Sequence, residues 1–309
     1  MLCAMKVSTI RLHLKAVGLL LFAFALIPSV SRATDLSLEQ AQTGAKKGDA
    51  EAEFFLGRAY FRGEGVPQND VKAVELYRKA ADQGNAKAEN NLGFMYVNGR
   101  GVKADPAEAA KWYRKAAEQN VALAEKNLAL MLSTGAPGVT KDMKQALSWF
   151  EKAADQGLVD AQVELGKLYY FGEEGVGKNY FEAAKWAGAA AQQGNPWAQN
   201  TLGAIYENGF GLGKDPKAAA MWYRKAAEQG NAKGQSNLGS LYSRGIGVDR
   251  DLVQAYKWLT LSANQGEITA AKDLDDLKLV MTQKQLDEGQ HLVSEFSTSS
   301  TEASTSSDK

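Results

Sequence analysis

The sequence has only one cysteine and two histidines among its 309 residues. Cys3 stands ahead of an apolar run near the start of the chain, so it is not placed for lipid attachment. If the N-terminal segment is removed on export, the remaining chain has no cysteine and forms no disulfide. Packing alone must then hold the fold together, which excludes the disulfide-stapled scaffolds common among exported proteins.

An excess of charge of either sign is also lacking. The chain carries 36 Lys and Arg residues against 36 Asp and Glu residues, and 45% of its residues are hydrophobic. This composition is typical of a soluble globular protein, and it gives no indication of a nucleic-acid partner.

Catalytic motifs are absent as well. His291 is the single histidine outside the N-terminal segment, and we interpret it as a surface residue. The sequence has no H-E-x-x-H, G-x-S-x-G or P-loop motif, and its S-x-x-K match at 306–309 falls in a tail that cannot form a pocket. These absences predict a protein without catalytic activity, cofactor or metal.

The N-terminus has the pattern of a secretory signal peptide over 1–33. Three basic residues precede the apolar run AVGLLLFAFALI at 16–27, and small residues follow in PSVSRA. The run is short for a membrane span, which needs about 20 residues, so we expect cleavage after Ala33 and no stable membrane insertion afterwards. Without the four basic residues of this segment, 32 basic residues remain against 36 acidic ones, a net charge of −4. The sequence thus predicts a periplasmic or secreted protein.

A repeat of 36 or 37 residues runs through the rest of the chain. The octapeptide WYRKAAEQ occurs at 112–119 and again at 222–229. The position that follows it recurs at Gly48, Gly84, Asn120, Gly157, Gly194, Gly230 and Gly266. A fixed period of this length predicts a solenoid of stacked units.

Each unit contains two predicted helices, here named helix A and helix B. In helix A a small residue recurs at Gly57, Gly93, Ala129, Gly166, Gly203 and Gly239. Because glycine inside a helix costs about 1 kcal/mol relative to alanine, this pattern indicates a neighbouring helix that passes too close for a side chain. A glycine loop such as RGEGV then leads to helix B.

Helix B is predicted to begin at a capping residue and to carry a core stripe of tryptophan and alanine. The predicted N-caps are Asp70, Asp105, Asp142, Asn179, Asp215 and Asp251. The stripe holds Trp112, Trp149, Trp186, Trp222 and Trp258, which we expect to face neighbouring helices. Capping accounts for each acidic residue of the first series, and the series is spaced by one repeat, so we do not expect it to bind a cation.

The repeat divides the chain into five parts and predicts an all-α solenoid. They are a signal peptide at 1–33, an N-terminal capping helix at 34–48, six repeats over 49–266, C-terminal capping helices at 267–296 and a disordered Ser/Thr-rich tail at 297–309. The predicted repeats are 49–84, 85–120, 121–157, 158–194, 195–230 and 231–266.

The pattern A-x-x-x-L-G-x-x-Y-x-x-G-x-G-V, followed by D-x-x-x-A-x-x-W-Y-x-K-A-A-x-Q-G, resembles the Sel-one-like repeat (SLR), a relative of the tetratricopeptide repeat. The resemblance covers nearly all of 49–266. It implies a right-handed α/α superhelix whose A helices line a concave face, and a role as an adaptor or scaffold. Many bacterial members are exported and linked to envelope regulation or host contact. Some carry a cysteine pair in each repeat and are tied to β-lactam binding and hydrolysis, and this chain lacks those cysteines.

The resemblance also points to one position of helix A. In a related tetratricopeptide solenoid, asparagines just before the helix-A leucine form a ladder that holds an extended peptide backbone. The candidates here are Asn91, Asn127, Thr201 and Asn237. Helical geometry places this position at an exposed site or at the edge of the groove. The alternative is that these side chains serve solubility or bond to nearby loops.

The predicted function is therefore a non-catalytic, exported scaffold that binds a protein or peptide segment in its concave groove, in envelope regulation. Two alternatives remain open from the sequence. One is a secreted factor that binds a host protein. The other is a weak β-lactam-binding or β-lactamase-like enzyme.

Overall fold

The computed structural model describes residues 36–173 and 175–307, with side chains as far as residue 298. The predicted signal peptide lies outside the described residues. The described chain forms fifteen α-helices and no β-strand, and two isolated bridges close the longer loops, Ala136 with Val139 and Glu173 with Val176. Among these helices, none is both long and apolar enough to cross a bilayer.

Twelve helices of 13 residues each make up the repeats, from α2 to α13. The helices are α1 Leu38–Lys46, α2 Ala50–Arg62, α3 Asp70–Asp82, α4 Ala86–Asn98, α5 Pro106–Glu118, α6 Ala122–Thr134, α7 Met143–Asp155, α8 Val159–Phe171, α9 Tyr180–Gln192, α10 Pro196–Asn208, α11 Pro216–Glu228, α12 Ala232–Arg244, α13 Leu252–Asn264, α14 Ile268–Lys278 and α15 Gln283–Ser307.

The even-numbered helices from α2 to α12 are the A helices, and the odd-numbered ones from α3 to α13 are the B helices. Each A helix packs most extensively against the B helix of its own unit, and each B helix packs next against the following A helix. Helices two apart in the chain touch much less. This nearest-neighbour packing confirms the predicted α/α solenoid.

The predicted capping residues set most helix boundaries. Helix B is capped as expected at Asp105, Asp142, Asn179, Asp215 and Asp251. The prediction for Asp70 was wrong, because the side chain of Asn69 accepts a 3.0 Å hydrogen bond from the amide of Lys72. Asn69 and Asp70 are adjacent and both suited to capping, so the pattern alone did not choose between them. Asp70 is instead the first helical residue of α3.

The position that ends each repeat adopts the left-handed backbone conformation. The six recurring glycines have φ between 78° and 90°, and Asn120, which replaces glycine, has φ 61°. Asparagine tolerates this region better than other side chains. The recurring glycine therefore reflects a backbone requirement that ends helix B and starts the next repeat.

The glycine within helix A marks the closest approach between the two helices of a unit. A Cβ atom at Gly93 would lie 2.8 Å from the ring of Tyr113, and one at Gly203 would lie 2.6 Å from the ring of Tyr223. Gly166 faces more space, because its unit has Ala187 in the place of these tyrosines. The steric interpretation of the glycine pattern is thus confirmed, and the group that causes it is a helix-B side chain.

The most deeply buried position of helix B lies one residue after the tryptophan, at a position that the sequence analysis did not assign to the core. The residues at this core position are Tyr77, Tyr113, Phe150, Ala187, Tyr223 and Leu259, and they are at most 4% exposed. Trp112, Trp186 and Trp258 are buried as predicted, whereas Trp149 and Trp222 are only half-buried. A lysine ammonium lies 4.0 to 4.4 Å from the ring centroid of each of the five tryptophans. Each of these indoles therefore meets a cation, including the three that are buried.

The C-terminal end is closed by α14 and α15. Thr282 and Gln285 form the predicted capping box at the start of α15, and Phe296 lies against Trp258 with ring centroids 5.4 Å apart. Residues 297–307 continue this helix, whereas we had predicted a disordered tail from residue 297. The hydroxyl of Ser297 donates a 2.9 Å hydrogen bond to the carbonyl of Val293, one turn earlier in the same helix.

Candidate functional site

A pocket opens on the A-helix side of the first three repeats, between α2, α4 and α6. Its volume is about 390 Å³. Its lining includes Arg58, Phe61 and Arg62 of α2, Asn91 and Phe94 of α4, and Leu123, Lys126 and Asn127 of α6. We call it the α2–α4–α6 pocket. Because three successive A helices contribute to it, the pocket exists only through stacking of the repeats.

Large apolar side chains are exposed in and beside this pocket. Phe94 and Val97 on α4 are 39% and 41% exposed, and Leu123 and Leu130 on α6 are 44% and 38% exposed. All four belong to A helices, although these helices bury their leucine–glycine stripe. Exposed apolar groups that cluster in this way mark surfaces for protein interaction.

The pocket also carries positive charge. Arg58 lies 4.7 Å from the ring centroid of Phe55. Arg62 pairs with Glu64 at 3.3 Å, and Lys126 pairs with Asp160 at 3.2 Å. Among the described residues that line the pocket, none is acidic. The site is therefore apolar at its walls and cationic at its edges.

Tyr77 also lines the pocket, and the nearby cations affect the pKa of its hydroxyl. Burial raises the pKa of the Tyr77 hydroxyl to about 12, and interactions with Asn91, Arg62 and Arg58 oppose that shift. The phenol is thus neutral over the physiological range. It contributes a buried aromatic floor rather than a charge.

The structure brings together two of the four predicted site residues. Asn91 and Asn127 are half-buried and both line the α2–α4–α6 pocket. Asn237 is also half-buried, but it lies on α12, three repeats further along than α6. The four positions are therefore not one local site, and a ligand that reached all of them would have to run along the solenoid.

Thr201 does not meet the expectation of an exposed or groove-edge position, since it is only 5% exposed. It lies one turn after Trp197 on the same face of α10. Thr201 is the least suited of the four residues to touch a ligand.

The asparagines pair with one another between neighbouring A helices. The Nδ2 group of Asn127 donates to Oδ1 of Asn90 at 3.3 Å, and Nδ2 of Asn237 donates to Oδ1 of Asn200 at 2.9 Å. The preceding residues Asn90 and Asn200 were not among the predicted site residues. The Asn–Asn dipeptide at 90–91 was the available signal. One amide hydrogen and further acceptor capacity remain on each side chain for a ligand.

A second polar series, which the sequence analysis missed, is buried within the repeats. Its members on helix A are Glu53, Glu89, Glu125, Gln162, Gln199 and Gln235, which are at most 5% exposed. Each accepts a hydrogen bond of 2.7 to 2.9 Å from the glutamine that precedes the repeat-ending residue. The glutamine recurs in all six units, which was the sequence signal. These pairs join the two helices of each unit and are structural.

His291 gives no geometry for catalysis. Its side chain is 71% exposed, and it lies 3.5 Å from Glu295 on the same helix. Within the described part of the chain, no three His, Cys, Asp or Glu side chains are grouped as a metal site would require. The position of His291 agrees with its interpretation as a surface residue.

Comparison with known proteins identifies the repeat. The family model for the Sel1 repeat matches residues 50–85, 86–121, 122–158, 159–195, 198–231 and 232–267. Five of these six segments begin one residue after the predicted repeats, and the fifth begins three residues after. No curated protein sequence matches the chain.

Two solved structures are similar in both sequence and fold. One is a protective antigen present in uropathogenic Escherichia coli strains, which displays an SLR fold, with 35% identity and a TM-score of 0.73. The match covers 85% of this chain and 56% of that chain, so this chain spans little more than half of that antigen. The other is a Sel1 repeat protein from Oxalobacter formigenes, with 32% identity, a TM-score of 0.62, and coverage of 79% and 96%. The chain therefore belongs to the Sel1 repeat family, whose fold is a typical non-catalytic scaffold for protein interactions.

Proposed function

We propose that this protein is an exported scaffold that holds an extended segment of a partner protein along its A helices, with the α2–α4–α6 pocket as the main contact. The observation that carries the proposal is the pocket itself, in which Phe94 and Leu123 are exposed beside Asn91 and Asn127. An extended segment presents both its side chains and a backbone whose hydrogen-bonding groups are unpaired. The apolar groups of the pocket can contact the side chains, and the asparagine amides can bond to the backbone.

The amide groups suit a peptide backbone because each can donate and accept a hydrogen bond. Asn91 and Asn127 come from successive A helices, so a bound segment would cross the helices rather than follow one of them. A net contribution of about 0.5–1.5 kcal/mol for each hydrogen bond makes the apolar contacts necessary as well. Binding would then depend on both kinds of group.

Export to the periplasm or beyond is part of the proposal. It is supported by the signal-peptide pattern of residues 1–33. A role in regulating the envelope follows as the first candidate. The second candidate is contact with a host protein, and it is favoured by 35% identity to an antigen of uropathogenic strains.

Photocrosslinking in the producing cell tests the binding surface. A photoreactive phenylalanine analogue would replace Phe94 or Leu123 in the pocket. Matched controls would carry it at Lys111 or Glu118, which are exposed on helix B of the second unit. We expect a protein adduct from the pocket positions and none from the controls. Adducts from the helix-B positions alone would place the partner on the other surface and contradict the proposal.

A further inference from the structure

The chemistry of the α2–α4–α6 pocket also specifies what kind of segment fits it. This inference rests on the proposed function, because it names the partner of the same groove. We propose that the pocket recognises an acidic–apolar segment, in which a large apolar side chain enters beside Phe61, Phe94 and Leu123 and a neighbouring carboxylate meets Arg62 and Lys126.

The apolar wall is held in place before any ligand arrives. The rings of Phe61 and Phe94 meet edge to face, with centroids 5.9 Å apart. The guanidinium of Arg100 lies 4.2 Å from the centroid of Phe61 and forms a two-bond ion pair with Asp70, at 2.8 and 2.9 Å. Phe61 is therefore fixed by an aromatic neighbour and by a cation that is itself anchored. A rigid wall selects an apolar side chain with less entropic cost on binding.

Arg62 is the cation that is more open to a ligand carboxylate. Arg62 and Glu64 are 56% and 54% exposed in their pair, whereas Lys126 is 16% exposed beside Asp160, which is 69% exposed. An ion pair as exposed as that of Arg62 with Glu64 contributes little to stability. A carboxylate that enters the partly enclosed pocket can compete for the same donors, and its charge-assisted hydrogen bonds are strengthened by the loss of water.

The other half of the groove has a different character, which makes the inference specific. The fifth unit has Glu207 of α10 at the position of Phe61, and the fourth unit has Glu164 of α8 at the position of Asn127. Glu164 is paired with Lys167 at 2.7 Å, and Glu207 accepts a 2.8 Å hydrogen bond from the Tyr223 hydroxyl. These two glutamates are already paired, and they provide no hydrogen-bond donor or positive charge for a carboxylate of the bound segment. An acidic–apolar segment is therefore expected over the first three repeats only.

Selection from a phage library of random 12-residue peptides on the purified protein tests the inference. We expect the enriched peptides to place Asp or Glu beside Phe, Trp or Leu. A fluorescein-labelled synthetic copy of the most enriched peptide would then be titrated against variants. Arg62→Glu should weaken its binding about tenfold or more, as expected for a lost charge-assisted hydrogen bond. Lys126→Gln should weaken it as well.

The matched control is Lys111→Glu, the same reversal of charge at an exposed lysine of helix B, and it should leave the affinity unchanged. Melting temperatures would show that each variant is folded. Enriched peptides that are basic or uncharged, yet lose affinity on Phe94→Ser, would overturn the acidic partner while keeping the groove. If no peptide is enriched, or if binding survives both Phe94→Ser and Arg62→Glu, the proposed groove function itself fails.

Discussion

The side-chain amide of Gln156 donates a 2.7 Å hydrogen bond to a carboxylate oxygen of Glu125, a residue with no exposed surface. Within the described residues, the second carboxylate oxygen of Glu125 has no hydrogen-bond partner. In the next unit the corresponding Gln162 uses its amide to donate to the carbonyl of Ala154 at 3.1 Å. A protonated Glu125 could donate in the same way, whereas an ionised one cannot. At this buried position glutamine can use both of its polar atoms in hydrogen bonds, whereas ionised Glu125 leaves one carboxylate oxygen without a partner.

This contrast predicts how stability depends on pH. Burial raises the pKa of Glu53, Glu89 and Glu125 above the ordinary value of 4.5. The folded protein therefore binds protons more readily than the unfolded chain between 4.5 and the raised pKa values. At a pH above their raised pKa values these residues are ionised, and they then lower the free energy of unfolding by the largest amount. The lost stability is recovered as the pH falls toward 4.5. Below 4.5 they give no further gain.

Two reciprocal substitutions isolate the effect. Glu125→Gln should raise the free energy of unfolding at pH 7.5 by about 1–3 kcal/mol, the usual cost of an unsatisfied buried polar group. Gln162→Glu should lower it by a similar amount, and the loss should shrink at pH 5. Urea unfolding at both pH values measures this. Equal effects of either substitution at the two pH values would show that the buried carboxylates do not titrate in this range.

The core of helix B gives a second prediction, from two adjacent residues. Tyr223 is 1% exposed, whereas Trp222 is half-buried. Tyr223→Ala should destabilise the protein by about 3–5 kcal/mol, as for other large buried aromatic residues, and Trp222→Ala should cost clearly less. Chemical denaturation of the two variants provides the comparison. A larger loss for Trp222→Ala would restore tryptophan as the centre of the core.

The helix-A glycines give a third prediction with a control in the same chain. Gly93→Ala should destabilise the protein, because the new Cβ would lie 2.8 Å from the buried ring of Tyr113. Gly166→Ala should be tolerated, since the nearest atom would be 3.4 Å away, and alanine favours the helix by about 1 kcal/mol. Thermal melts of both variants decide the matter. Equal melting temperatures would mean that close packing does not explain the glycine.

Export gives a fourth prediction. The mature protein should begin near Thr34 and fractionate with soluble periplasmic or secreted proteins, because residues 1–33 have the pattern of a cleaved signal. N-terminal sequencing of protein from the producing cell measures this. Recovery of membrane-bound protein that still begins at Met1 would contradict it.

The sequence predicted the fold well because the repeat supplies six observations of each position. Helix order, the left-handed glycines and most caps follow from local chemistry that recurs in every unit. The choice between Trp222 and Tyr223 did not follow, because helix B has neighbours on more than one side and both residues are large and apolar. Residue type alone then does not show which of the two side chains points into the core.

The candidate site was less predictable because it depends on contacts between units. The pairing of Asn127 with Asn90 joins residues of two repeats, and Thr201 is buried although the asparagines at the same position are half-buried. Neither follows from a single position of the pattern. The buried Glu125 was missed for a related reason, since a charged residue in a helix does not by itself indicate burial against a neighbouring helix.

The central claim, that a partner lies on the A-helix face, is tested most directly by comparing two folded variants in the capture of crosslinked partners from the producing cell. One carries Asn91→Ala and Asn127→Ala in the α2–α4–α6 pocket. The other carries alanine at Arg114, Lys115 and Glu118, on helix B of the second unit. Asn237→Ala, three repeats away, would show separately how far along the groove the segment extends. The account predicts that the pocket variant captures about a tenth or less of the partner, as two lost hydrogen bonds allow, while the helix-B variant captures as much as the unaltered protein. Loss of the partner in the helix-B variant and its retention in the pocket variant would contradict the account.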